Sequence, residues 1–384
     1  MRKLLVIILH LSLFPLVALT GQENKKVLSV NGYLSSLQSV MFDSIRGKVL
    51  YQNLLHNRIN LKAFANEQFS FGLELRNRFF SGNMISETPR YAEMTGTDQG
   101  LFDLSFNLLE GKSYFLNSTI DRYWADFHKG KVGIRLGRQR INWGQSLVWN
   151  PNDIFNAYSV FDVDYEERPG CDALRVQVFP DPSSSLEFAV KGDAAGKLTA
   201  ASLYRFNKWG YDMQFIAGYS HSHDFITGAG WSGAFGATSF RGEMTWFVPA
   251  GRYYGESGTI LLTSGLDKIF ADNSVIEAQL MYCNNPVSPA GFNSFYNGTL
   301  SARDLAFSHF SAFLSGSWAA TPLVKLSLSG MALPDINGWF TAPSLDISLS
   351  ENFDLSLIWQ YFEGRMGGSG VRNNIVFVRI KYSF

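Results

Sequence analysis

The chain has 384 residues, and its 33 basic and 33 acidic side chains give a formal net charge of zero, so no electrostatic argument favours nucleic acid as a partner. Charged residues make up 17% of the chain and aromatic residues 15%, whereas soluble domains contain roughly 25% charged residues. The 3.6-residue periodicity of core helices is almost absent. A barrel in lipid accounts for this composition, because its exterior takes apolar residues and its interior takes charges.

The N-terminus is typical of a Sec signal peptide. Arg2 and Lys3 precede an apolar run over residues 4–19, and small or polar residues follow at 20–21. A membrane anchor would need about 20 unbroken apolar residues, and the run is shorter than that. No cysteine lies at the cleavage point, so a lipoprotein is not predicted. We therefore expect a signal peptide over residues 1–21 and one outer-membrane β-barrel domain over 22–384.

Two early segments, residues 51–65 and 69–79, alternate polar and apolar side chains with the period of two that is typical of β-strands. A charged side chain facing lipid at mid-membrane costs about 2–4 kcal/mol, so the charged face is predicted to line a lumen. A soluble sandwich would show the same pattern in one hairpin, but not along a whole chain. The predicted lumen residues of this hairpin include His56, Arg58, Lys62, Glu74, Arg76 and Arg78.

Similar alternating segments recur to the C-terminus, and the connections between them are alternately short and long. The long ones are predicted at residues 81–112, 144–170, 284–303 and 364–373. Short periplasmic turns and long extracellular loops are typical of outer-membrane barrels. We predict an all-β fold, a transmembrane antiparallel β-barrel of about 18 strands, or about 16 if weak neighbours merge, which encloses an aqueous lumen.

The segment from Gly137 to Asn156 carries the most distinctive chemistry. Strict alternation after Leu136 would turn Arg138 and Arg140 toward lipid, unless both side chains reach the rim. A β-bulge at Gly137 would shift the register and turn them inward, leaving Ile141 and Trp143 at the outer interface. The bulge is the favoured interpretation.

The loop after this strand is apolar and aromatic for an exposed segment, so it is expected to fold into the lumen. Its tail is acidic and could face the arginines of the neighbouring strand. Two interpretations remain open: a constriction inside the pore, and a loop packed across the barrel mouth by ordinary ion pairs. The constriction hypothesis names Arg135, Arg138 and Arg140 on one wall and Asp162, Asp164 and Glu166 on the loop.

The block Gly-Arg-Gln at 137–139, Trp-Gly at 143–144 and Asn-Pro-Asn-Asp at 150–153 resembles several porin-like outer-membrane families that are poorly characterised. In those families an "RxGRQ…WG…NPxD" block follows a strand that here contains Asp121-Arg122-Tyr123. The resemblance covers residues 121–174. It implies a passive or substrate-selective channel and brings no established substrate.

The last strand, residues 374–384, keeps an apolar face to the terminal residue. It resembles the C-terminal signature of bacterial outer-membrane proteins, which the barrel-assembly machinery reads. That resemblance implies an assembly signal at Ile380, Tyr382 and Phe384, with outer-membrane lipid and the assembly machinery as partners.

We therefore predict an outer-membrane channel for small polar or anionic solutes, with no catalysis, no cofactor and no metal. The basic N-terminal strands predict a mild anion preference. A plugged barrel for surface-polysaccharide export and an outer-membrane hydrolase that uses the His221–Asp224 segment are the alternatives. Gly228–Gly233 matches a dinucleotide fingerprint but lacks the strand-to-helix context. Cys171 and Cys283 fall on well-separated strands, which argues against a disulfide. The oligomeric state and the transported solute stay open.

Overall fold

The structure is a computed structural model that describes residues 27–44, 47–157, 163–164, 167–220, 224–251, 258–287 and 301–384. The predicted signal peptide lies outside these ranges, and so do Asp162, Glu166 and the residues from His221 to His223.

The described elements are almost all β-strands. They are β1 (Leu28–Phe42), β2 (Val49–Phe64), β3 (Phe69–Ser81), β4 (Ser105–Glu110), β5 (Tyr114–Lys129), β6 (Val132–Gln139), β7 (Cys171–Asp181), β8 (Ser184–Gly192), β9 (Leu198–Lys208), β10 (Tyr211–Tyr219), β11 (Asp224–Phe235), β12 (Thr238–Pro249), β13 (Thr259–Ile269), β14 (Val275–Cys283), β15 (Phe310–Thr321), β16 (Val324–Leu333), β17 (Gly338–Ser350), β18 (Phe353–Met366) and β19 (Ser369–Ser383). Two short helices, α1 (Asn83–Glu87) and α2 (Tyr91–Gly96), and two 3-10 turns, Ala302–Asp304 and Pro334–Ile336, lie between strands.

The sheet closes on itself, because β1 pairs with both β2 and β19. β3 pairs directly with β5, so β4 is not one of the strands that close the ring. β4 pairs only with the part of β5 that β6 does not reach: β4 takes residues 115–119 and β6 takes 123–129. All pairings are antiparallel. The predicted all-β, 18-strand transmembrane barrel is confirmed.

The two ends of the barrel differ in the length of their connections. Tight turns such as 130–131, 182–183 and 209–210 lie at one end, which we call the turn end. The longest connections between ring strands, 82–113, 140–170 and 284–309, begin and end at the opposite end, which we call the loop end.

The prediction of a long connection at residues 364–373 is wrong. β18 and β19 continue through it and meet at Gly367 and Gly368, whose φ angles are 55° and 81°. Two consecutive positive φ angles are cheap only for glycine, and they match the twist of a two-residue hairpin turn. The polar residues of this stretch are therefore part of a hairpin.

The outer face of the barrel is apolar and the inner face is polar over the turn-end half. Leu136, Leu280 and Leu314 face outward and are 61%, 64% and 60% exposed, whereas the inward Arg58 is 0% exposed. An outer band of this kind is stable only against lipid. Among the residues that the structure describes, no helix is long and apolar enough to cross a membrane.

Apolar side chains are buried inside the loop-end half of the lumen. Inward residues of β9 to β14, including Leu203, Phe247 and Leu261, are buried against the connection 140–170. On the other side, Leu54, Phe80 and Phe115 are buried near Ile85 of α1. The core of this molecule therefore lies inside the barrel, where the alternation predicted a polar, water-filled space.

Candidate functional site

The lumen loop, defined as residues 140–170, enters the barrel directly after β6. Ile141 and Trp143 are 0% exposed, and the Trp143 ring meets the Phe155 ring edge-on with centroids 4.8 Å apart. The expectation that Ile141 and Trp143 face the outer interface is therefore wrong. Burial against the apolar inner wall removes more of their surface from water than a rim position would.

Glu243 of β12 is the main anchor of the lumen loop. Its carboxylate is 0% exposed and accepts hydrogen bonds from three loop amides: Ser146 N–H at 2.6 Å, Asn152 N–H at 2.9 Å and Gln145 N–H. Thr245, on the same strand, donates to the Asn152 side-chain oxygen at 2.7 Å. Because three backbone N–H groups donate to one buried carboxyl group, Glu243 fixes the loop backbone over residues 145–152.

Neighbouring strands hold the loop on either side of this anchor. The Gln279 side chain of β14 accepts from Val148 N–H at 2.7 Å and donates to the Trp149 carbonyl at 3.0 Å. The Trp143 indole N–H donates to Glu187 of β8 at 2.5 Å. The first half of the loop is therefore attached to the wall formed by β8 to β14.

The acidic tail of the loop reaches the opposite wall. Asp164 lies 3.0 Å from the His56 ring, measured between Oδ1 and Nδ1. Glu167 accepts a hydrogen bond from the Tyr33 hydroxyl at 3.1 Å and lies 3.8 Å from Arg58. Arg122 donates to the Glu167 backbone carbonyl at 2.7 Å. The loop therefore crosses the lumen, and Asp164 and Glu167 meet β1 and β2, whereas the constriction hypothesis placed the acidic tail against Arg135, Arg138 and Arg140.

Arg58 is the centre of this second wall. Its side chain is completely buried, and it is paired with Glu74 and, at 2.6 Å, with Asp121. A buried guanidinium requires such pairing, because an uncompensated charge in this position would cost several kcal/mol. Arg76 lies opposite Arg58 in the β2–β3 register, and both face inward.

The remaining predicted lumen residues of β2 and β3 also face inward. Arg78 donates to the Asn117 side chain at 2.9 Å and to the Thr95 carbonyl at 3.1 Å. The Lys62 ammonium lies 4.8 Å from the centroid of the Phe64 ring.

Arg135 of β6 faces inward as predicted, but it lies apart from the acidic tail. Its guanidinium donates to Asp126 at 2.7 Å and stacks over the Trp124 ring at 4.4 Å. Arg140 lies beyond the end of β6, at the start of the lumen loop.

The prediction that a bulge at Gly137 turns Arg138 into the pore is wrong. The pairing of β6 with β5 and β7 continues without a shift through Gly137, so Arg138 stays on the outward side with Leu136. It is 5% exposed and paired with Asp98 at 2.6 Å and Asp172 at 2.7 Å. The chain segment 98–102 covers it, which the pattern of one strand cannot reveal.

Within segment 98–102, Gly100 lies against the ion pair of Arg138 and Asp172. A Cβ atom on Gly100 would lie 2.0 Å from the Arg138 Nη2 atom and 2.5 Å from the Asp172 carboxylate. We expect Gly100→Ala to destabilise the folded barrel by about 1–3 kcal/mol, because the ion pair has to move. Heat-induced loss of the folded band in gel electrophoresis measures this. Gly316→Ala, with nothing within 4 Å of the added atom, is the control and should leave the unfolding temperature unchanged.

Two loop carboxyls have shifted pKa values. Burial raises the pKa of Asp153 to about 6, against the opposing effects of Arg140 and of the Trp143 N–H group. Burial also disfavours the charged form of Asp164, but the hydrogen bond and charge of His56, together with Arg78 and Arg76, bring its pKa below the ordinary value. The carboxylate of Asp164 is therefore ionised at neutral pH. It holds the loop on the inward side of β1, β2, β3 and β5, which we call the basic wall.

Other candidate chemistry does not assemble in the described part of the chain. Cys171 and Cys283 are buried and free. Within the described ranges, no group of three or more His, Cys, Asp or Glu side chains could hold a metal ion. The glycine-rich residues 228–233 lie in the middle of β11, which agrees with a strand and not with a dinucleotide site.

Several residues of this site were not predicted from the sequence. Tyr33, Asp121, Glu243 and Gln279 are single polar residues at inward positions, and other inward positions carry the same residue types. No local signal distinguishes them, since their importance comes from the loop that folds against them.

The comparisons agree with this architecture. A family model described as a protein of unknown function (DUF1302) matches residues 120–285, which include the block at 137–153. No curated protein matches the chain.

Three solved structures show the similarity in fold. Pseudomonas aeruginosa OccK2 (OpdF) is 9% identical with a TM-score of 0.60, covering 94% of this chain and 99% of its own. Pseudomonas aeruginosa OccK11 (OpdR) is 10% identical with a TM-score of 0.59, covering 93% and 96%. Pseudomonas aeruginosa OpdK, solved with vanillate, is 10% identical with a TM-score of 0.57, covering 92% and 98%.

These structures are outer-membrane channels. At such low identity the likeness concerns the fold, and the apolar exterior gives an independent physical reason for a membrane location. The chain is therefore an outer-membrane β-barrel with the fold of the 18-strand porins.

Proposed function

We propose that this protein is a porin-like channel through which small polar solutes, with a preference for anions, diffuse across the outer membrane, and that it catalyses no reaction. The observation that best supports this proposal is the lumen loop, which crosses a closed barrel and places Asp164 and Glu167 against the basic wall formed by β1, β2, β3 and β5. Loops that narrow a wide barrel set which solutes pass, by width and by local field. The loop end is taken as extracellular and the turn end as periplasmic.

The proposed preference for anions rests on the charges of one sector of the described inner face. On β2, β3, β5 and β19 the inward cations outnumber the carboxylates facing them. The cations are Arg58, Lys62, Arg76, Arg78, Arg122, Arg379 and Lys381, and the carboxylates are Glu74, Asp121, Asp126, Asp164, Glu167 and, on β18 opposite Lys381, Asp354. A low-dielectric wall strengthens this field, so anions are concentrated at the lumen surface. The structure of OpdK with vanillate, an aromatic carboxylate, is consistent with an anionic solute in this fold.

Reconstitution in planar bilayers tests the channel directly. In a gradient of potassium chloride we expect discrete conductance steps and a reversal potential of the sign that anion flow produces. The excess of inward cations is the reason, and the preference should weaken at high salt because charge is screened over about 3 Å at 1 M. A cation-selective reversal potential would refute the proposed preference while leaving the channel intact.

A plugged barrel that serves surface-polysaccharide export is the second candidate. The apolar side chains buried inside the loop-end half of the lumen favour it, since a packed core excludes water. The two candidates differ in one measurement. Folded protein that gives no conductance steps in planar bilayers would favour the plugged barrel.

A further inference from the structure

The outward face of β2, β3 and β5 carries a row of polar side chains where the barrel should meet lipid. Asn57 lies directly opposite Asn77, and Asn77 lies directly opposite Ser118. All three alternate along their strands with outward apolar residues, and all three are themselves partly exposed. We call Asn57, Asn77 and Ser118 the amide row.

The amide row lies inside the apolar band, between two aromatic pairs of the outer face and nearer to the loop-end pair. On the turn-end side, Phe69 packs against Phe127 with ring centroids 4.7 Å apart. On the loop-end side, Phe79 packs against Tyr114 at 6.2 Å. Aromatic side chains of barrels mark the two membrane–water boundaries. The amide row lies between these pairs, where a primary amide that faces hydrocarbon loses its hydrogen bonds to water.

The rest of the outer face differs from this sector in its content of amide side chains. From β6 to β18, no outward position among the described strand residues carries Asn or Gln. Two further amides, Gln38 of β1 and Asn53 of β2, pair with each other in register next to the amide row, toward the loop end. With Asn374 of β19, which lies opposite Phe42 of β1, the outward amides are thus concentrated on the sector from β19 to β5.

The hydrogen bonds within the amide row use only part of the hydrogen-bonding capacity of its side chains. Asn77 donates to the Asn57 side chain at 3.4 Å, Ser118 donates to Asn77, and Asn57 donates to the Tyr33 carbonyl at 3.4 Å. A primary amide has two N–H donors. Each of the two asparagines therefore keeps one N–H group for which the described residues show no acceptor.

We propose that this sector, β1 to β3 with β5, is the surface through which the protein associates with a second copy of itself in the membrane. The amide row carries no charge, so apposing it with its own copy produces no like-charge repulsion. Asn side chains contain both donor and acceptor, so two copies related by a two-fold axis pair amide with amide. Leu55 and Phe79, between the amide row and the Gln38–Asn53 pair, supply the apolar contact around these hydrogen bonds.

Disulfide cross-linking in native outer membranes tests the proposal. Leu55→Cys places a thiol inside the sector, and Phe188→Cys places one on β8, outside it; the two native side chains are 49% and 48% exposed. The native thiols are buried and do not interfere. We expect mild oxidation to give a product of twice the monomer mass with Leu55→Cys and none with Phe188→Cys.

Adding Asn57→Leu and Asn77→Leu to Leu55→Cys should lower the cross-linked fraction about tenfold, the effect of losing about 1.4 kcal/mol of association energy. Heat-modifiable mobility in gel electrophoresis verifies that each variant is folded. An unchanged yield, accompanied by a higher unfolding temperature, would show that the row faces lipid and would overturn the proposal. A product of another mass, containing a different membrane protein, would also overturn it.

Discussion

Replacing Glu243 with Ala is expected to release the first half of the lumen loop and to raise the single-channel conductance together with its open-state noise. The Glu243 carboxylate accepts hydrogen bonds from the backbone of Gln145, Ser146 and Asn152. Without it, three N–H groups inside the barrel lose their acceptor at about 1–3 kcal/mol each, unless the loop moves to reach water. The loop will therefore leave the wall at this point, and the lumen will widen.

A matched control separates loop release from the loss of a charge. Glu277 of β14 also faces the lumen, near Asp267, Lys325 and Arg241, and no described loop amide donates to it. Glu277→Ala removes the same kind of side chain from the lumen wall and should change ion selectivity slightly without added noise. If Glu243→Ala and Glu277→Ala give the same conductance and noise, the anchoring role of Glu243 is wrong. Protease cleavage within residues 145–152 of folded protein gives a second readout that does not depend on ion flow.

The barrel itself could be predicted from the sequence because strand alternation is local. Each residue's side follows from its neighbours two positions away, and the cost of charge in lipid determines which side is inward. The hairpin of β2 and β3 shows this: Arg58, Arg76 and Arg78 lie inward as the alternation indicates. Closure into 18 strands follows when the same assignment of inward and outward sides is made for each segment along the chain.

The candidate site could be predicted only in part, because it depends on contacts between distant segments. The apolar sequence of the lumen loop indicated that it would be buried, but not which wall would receive it. Arg138 shows the same limit, since its partner Asp98 lies 40 positions away in a connection with no strong pattern of its own. Glu243 is 91 positions from Asn152, and nothing nearby in the sequence marks it as an anchor.

A second large change in channel properties is expected from variants of the acidic tail of the lumen loop. Replacing Asp164 with Asn and Glu167 with Gln together should shift the reversal potential further toward anion selectivity and weaken the attachment of the tail to the basic wall. The two carboxylates now face His56, Tyr33 and Arg58. Their removal leaves the positive charge of Arg58 balanced only by Glu74 and Asp121, so the local field on a passing anion becomes more attractive.

The control for this pair is Glu363→Gln, which removes a carboxylate from an exposed ion pair with Arg372 at the loop end. Exposed pairs contribute little, and solvent screens their field, so this variant should keep the reversal potential of the native protein. If the double variant also keeps it, solutes do not pass between the loop tail and β2, and the constriction must lie elsewhere in the barrel. A shift that disappears at 1 M salt would confirm that the effect is electrostatic, because the Debye length is then about 3 Å. Selectivity in this channel would then depend on where the loop tail is held, and the wall residues that hold it would determine which solutes pass.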